Sequence, residues 1–128
     1  MPTFPVVTGD VLTSTIFNSL PAFTVQTAKT VDYTAASGDE YQQLIPMNKA
    51  TAIAFKIPTD ATYPFPTGTV ITVLSIGVGA VTISAVTPGT TTVLSAGAVA
   101  ASPTLAQYKS AACIKTAANA WYVVGGIA

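Results

Sequence analysis

The side chains able to carry chemistry are few and widely spaced. Asp39 and Glu40 are the only adjacent acids, Cys113 is the single thiol, and Lys29, Lys49, Lys56, Lys109 and Lys115 stand alone in a chain without His or Arg. A Ser-His or Cys-His nucleophile pair cannot be assembled from this set, nor can a metal site built on His or on several thiolates of one chain. The paired carboxylates of Ser37-Gly38-Asp39-Glu40 raise acid-base chemistry or calcium as options. Adjacent residues of a turn point apart, however, and no further oxygen-ligand motif accompanies them, so a solvated turn is the better account. Scattered lysines without an Arg fork do not form a phosphate-neutralising footprint, and nucleic acid is not an expected partner. No cofactor is suggested, and the expectation is a protein that is not an enzyme.

Two groups of residues remain as candidates for binding. Phe4, Val11, Leu12, Ile16 and Phe17 give the first twenty residues an apolar character that would anchor to a partner or to a sister subunit. Tyr63 and Phe65 lie in the proline-rich stretch Pro58 to Pro66, where they form either a knob for a partner or a plug capping the end of the fold. Cys113 has no second Cys to pair with, and burial within a strand is its expected fate.

The elements that position these residues read as β-structure. At 128 residues, one domain with an arm accounts for the chain, and only 8% of residues are charged against roughly 25% in an ordinary soluble domain. No apolar run approaches the ~20 residues of a spanning helix, and no secretory leader is visible, so neither a membrane nor a Sec route is expected. Pro2 and Pro5 favour an extended arm. Residues 10–20 read as a short helix with Thr13 as N-cap and Pro21 as its stop.

Strands are expected within residues 22–36, 41–48 and 51–57, then in 90–94, 105–115 and 121–124, with a turn at Ala117-Ala118-Asn119. The stretch from Gly68 to Val86 reads as a central hairpin closed by Gly77-Val78-Gly79. Both faces of its first arm are semi-apolar and call for cover on two sides. The predicted fold is all-β, an antiparallel β-sandwich or jelly-roll-like domain over residues 21–128, preceded by an arm and short helix over residues 1–20.

The run Gly68-Thr-Val-Ile-Thr-Val, the Gly77-Val-Gly79 turn into Ala80-Val-Thr-Ile, Tyr108 with Ala112 to Lys115, and the closing Trp121-Tyr-Val-Val-Gly125 resemble small virion proteins of tailed bacteriophages. Gly9-Asp-Val-Leu-Thr13 with Asn18, Tyr33 and the turn at Asp39 resemble their N-terminal pattern. That resemblance implies a β-module working as a homo-oligomer, commonly a trimer, in a virion assembled in the host cytoplasm. It places attachment in residues 1–20. Without repeats or heptads to build a shaft, a capsid decoration or cement protein on the major capsid protein is the expectation. The alternative is a head- or tail-fibre tip module binding a receptor or glycan through Tyr63, Phe65, Tyr108, Trp121 or Tyr122.

Overall fold

The computed structural model describes residues 24–41, 43–95 and 102–127. The expected arm, the helix over residues 10–20, the boundary at residue 20 and most of the 95–103 loop lie outside these residues. Ten strands and no helix make up the described chain: β1 (Thr24–Val25), β2 (Tyr33–Thr34), β3 (Gln43–Met47), β4 (Ile53–Ile57), β5 (Val70–Ser75), β6 (Val81–Ala85), β7 (Thr92–Leu94), β8 (Thr104–Leu105), β9 (Ser110–Ala117) and β10 (Ala120–Gly125).

They form two sheets. Sheet A has six strands in the order β1-β3-β5-β9-β10-β7, and sheet B has four in the order β2-β4-β6-β8. The all-β expectation holds, whereas the antiparallel one is corrected: both sheets are mixed. β1, β3 and β5 run parallel to one another, and so do β2, β4 and β6. From β1 to β6 the chain therefore lays one strand in sheet A, crosses to sheet B, and returns beside its previous strand, as in a flattened coil of stacked turns.

The expected central hairpin is the chief casualty. β5 and β6 belong to different sheets, and residues 76–80 form the corner between them. This corner lies on the earlier one over residues 48–52, with Ile76 and Gly77 donating to the Met47 carbonyl, Gly79 to that of Lys49, and Ile53 to that of Ala80. The corner after β1 joins the same stack, since Asn48 donates to the Lys29 carbonyl. The two glycines serve close approach here: a Cβ on Gly79 would stand 1.8 Å from the Thr51 carbonyl oxygen, and one on Gly77 would stand 2.4 Å from Lys49 backbone atoms.

β9 and β10 do form the expected antiparallel hairpin, wedged between β5 and β7. Asn119 takes a left-handed conformation in its turn, with φ of 51°, which Asn tolerates better than most residues.

The core lies between the sheets and follows the two-residue period. Ile45, Met47, Ile71, Val73, Cys113, Trp121 and Val123 enter it from sheet A, and Ile53, Phe55, Ile57, Val81, Ile83 and Leu105 from sheet B. On β5 it is Ile71, Val73 and Ser75 that are buried, so Val70, Thr72 and Leu74 point away from the core.

Candidate assembly face

Because successive strand residues alternate sides, each sheet has an outer face made from the positions the core does not use. On sheet A, register places Leu44 beside Thr72, Thr72 beside Ala112 and Ala112 beside Val124, with Val25 at the far edge next to Leu44. One step along, Val70 pairs with Ile114, Ile114 with Tyr122, and Tyr122 with Leu94. The outward positions of the six strands carry no charged side chain. Val70, Tyr122, Val124 and Val25 are exposed at 38, 44, 48 and 63%, while Leu44, Leu74, Leu94 and Ile114 are half-buried and Pro46 is buried.

Thr72, Thr92, Ser110 and Thr116 add hydroxyls to that face, but sheet B is the more polar for its size. Register joins Thr34, Lys56 and Ser84 in one row and Ala54, Thr82 and Thr104 in another. Hydroxyls and one ammonium on a β-surface suit contact with water. An extended uncharged face with valine, leucine, isoleucine and tyrosine suits contact with protein.

The residues singled out from the sequence are placed as follows. Phe4, Val11, Leu12, Ile16 and Phe17 lie outside the described residues. Phe65 is buried, with its ring edge-on to Trp121 at 5.7 Å and to Tyr63 at 4.5 Å between centroids. Tyr63 is half-buried, and its hydroxyl donates to Glu40 Oε2 at 2.6 Å, which holds the phenol proton more tightly than usual.

The paired acids are taken up by loop structure. Asp39 is buried and accepts hydrogen bonds from the Gln26 side-chain amide, the Tyr33 hydroxyl and the Ala36 N–H, at 2.7, 2.7 and 2.8 Å. Burial, and then the bond to Asp39, raise the pKa of Tyr33 well above the ordinary phenol value. Glu40 also accepts the Gly38 N–H at 2.7 Å. Among the described residues no group of three or more His, Cys, Asp or Glu side chains gathers to hold a metal ion. Cys113 is fully buried in β9, where burial pushes its thiol up to about 12.

Sequence reasoning missed two features. One is the anchoring of Lys115, whose ammonium is buried and reaches Asp60 Oδ1 at 2.8 Å and the Phe65 carbonyl. The other is the identity of the outer face of sheet A. Its signal was present in the alternation of β5 and β9, but which parity faces out depends on how the sheets pack.

Comparison with protein-family models, with curated proteins and with solved structures finds no match to this chain.

Proposed function

We propose that this chain is a non-enzymatic structural protein that works as a homo-oligomer within a larger particle, as a capsid decoration or cement protein of a tailed-bacteriophage virion. The observation that carries the assembly reading is the charge-free outer face of sheet A, set against the hydroxyl-rich outer face of sheet B. The virion assignment rests on the resemblance of the sequence segments quoted above.

The mechanism is adhesive. Each apolar side chain fully withdrawn from water contributes ~1.5–3 kcal/mol before the costs of ordering and association. Repetition of a weak contact across an oligomer on a regular shell raises the overall affinity. In this reading sheet A joins copies of the chain, and Phe4, Val11, Leu12, Ile16 and Phe17 attach them to the major capsid protein.

One observation favours the alternative, a fibre tip binding a receptor or glycan. Tyr108 is 76% exposed and adopts φ of 66°, a conformation costly for a residue with a side chain. An exposed ring held in a strained loop is the kind of feature a binding tip uses.

Particles purified from a lysate of the source organism, probed with an antibody to this chain, separate the readings. Decoration predicts many copies spread over the shell, and a tip predicts few copies at a vertex or tail. Absence of the chain from particles defeats both.

A further inference from the structure

We infer that the outer face of sheet A is an isologous interface, on which two copies of this chain pack face to face. The inference deepens the homo-oligomer reading above and rests on it.

Area is the first argument. The six strands range from two residues in β1 to eight in β9, and at about 4.8 Å between strands and about 3.3 Å per residue their face spans roughly 480 Å². Two such faces come to about 950 Å² before side-chain relief adds to it, on the scale of the roughly 1,000 Å² of total buried surface expected of a specific interface.

Charge is the second. A face that meets its own copy must not oppose like charges, and the outward positions of all six strands lack charge. Sheet B does not meet this condition, because Lys56 stands in the Thr34-Lys56-Ser84 row.

Relief is the third. Thr72 and Ala112 are small and adjacent, set between Leu44 and Val124 in their own row and beside the larger side chains of Val70, Ile114, Tyr122 and Leu94. A two-fold mate can set a large side chain over these two small ones, as sheets do when they interdigitate about 10 Å apart.

Light scattering and native mass spectrometry of the full chain test this over a dilution series. The expected result is an even-numbered oligomer, which the double variant Ile114→Lys/Tyr122→Lys reduces to monomer with an unchanged far-UV circular dichroism spectrum. Thr82→Lys/Ser84→Lys on sheet B is expected to leave the mass unaltered. Should the double variant not fold, Ile114→Thr keeps a β-branched shape while removing apolar surface, and is expected to raise the dissociation constant at least tenfold.

A folded sheet A variant that keeps the wild-type mass overturns the inference. So does a wild-type monomer at every concentration, which leaves the face to another segment or partner, and so does an odd-numbered assembly, the trimer implied by the resemblance included. The particle experiment is independent: an oligomer that depends on sheet A but is absent from virions defeats the virion reading and leaves the interface standing.

Discussion

Lys115 Nζ, on an inward position of β9, lies 2.8 Å from Asp60 Oδ1 in the loop that follows β4. The lysine side chain is 4% exposed and that of Asp60 24%, so the cation is the more deeply buried partner. Asp60 and Asn119 also exchange bonds, from the Asp60 N–H to Asn119 Oδ1 at 2.8 Å and from the Asn119 N–H to Asp60 Oδ2 at 3.1 Å. One carboxylate thus ties the Pro58 to Pro66 loop to both the β9 strand and the turn of the β9-β10 hairpin.

The asymmetry in burial sets an order of mutational cost. Asp60→Ala strands a buried ammonium with only the Phe65 carbonyl as partner, and should cost ~3–5 kcal/mol. Lys115→Met leaves Asp60 with water and the Asn119 N–H, and fills the space with an unbranched apolar chain, so its cost should be smaller. Urea unfolding midpoints of the two variants check the order, and the reverse ranking would contradict the placement of Lys115.

Stacked corners make a second prediction. Gly79→Ala drives a Cβ into the Thr51 backbone, and Gly77→Ala into that of Lys49; neither obstacle is the end of a flexible side chain. Both variants should lose at least the ~1–3 kcal/mol typical of overpacking. Gly89→Ala meets nothing within 4 Å and should change stability by no more than ~1 kcal/mol, in the stabilising direction through the unfolded chain. Thermal melts of the three variants would separate a corner packed on its neighbour from the free hairpin turn expected of Gly77-Val78-Gly79.

That corner also shows where sequence reasoning stopped. Alternation in residues 70–75 and 81–85 identifies two strands, but alternation is local and says nothing about which strand lies alongside. Two β-rich segments joined by Gly-Val-Gly fit a hairpin and a sheet-to-sheet corner equally well. The Lys49 and Thr51 backbone atoms that decide the matter are distant in sequence. Nor does the coil announce itself as a repeat, because Thr24 pairs with Gln43 while Leu44 pairs with Thr72, so successive turns differ in length. The β9-β10 hairpin was legible because its strands are neighbours and Asn119 marks the turn. The outer face of sheet A was half legible: the two semi-apolar faces of β5 asked for cover on both sides, but only the packing shows that Val70, Thr72 and Leu74 look outward.

Tyr108 supplies a third prediction. Its φ of 66° is fixed by backbone bonds on both sides, from the Tyr108 N–H to the Ser75 carbonyl at 2.7 Å and from the Ser75 N–H to the Lys109 carbonyl at 2.9 Å. The exposed ring returns little burial for this strain. Tyr108→Gly should therefore stabilise the fold or leave it unchanged, within ~1 kcal/mol, as a denaturant titration would show. A loss of several kcal/mol would mean that the ring is packed in the native state.

Alkaline pH gives a fourth. An ordinary thiol near 9 is pushed up to about 12 in Cys113 by complete burial, so above pH 9 the unfolded chain releases this proton while the folded chain keeps it. The folded state then binds more protons, and stability falls as pH rises from 9 towards 12, by at most ~1.4 kcal/mol per unit from this group. Tyr33, also raised, adds a slope of the same sign where an unfolded phenol ionises. Urea midpoints measured from pH 7 to 11 should decline above 9, and Cys113→Ala should flatten the decline while lowering stability at neutral pH. Equal slopes in the two proteins would show that Cys113 is not the buried acid.

Trp121 provides the last. It is the sole tryptophan, 1% exposed, with its ring against Phe65 and its strand held between β9 and β7. Its emission should be blue-shifted and resist quenching by acrylamide until the protein unfolds. Phe65→Leu removes the edge-on partner, and should shift that emission to the red and destabilise the fold by up to a few kcal/mol through the smaller side chain. A red-shifted, readily quenched Trp121 in the native protein would instead place the indole at the surface, where it could join an aromatic platform for a sugar. The same spectrum therefore decides whether Trp121 belongs to a buried plug with Phe65 or is offered to a ligand at the surface.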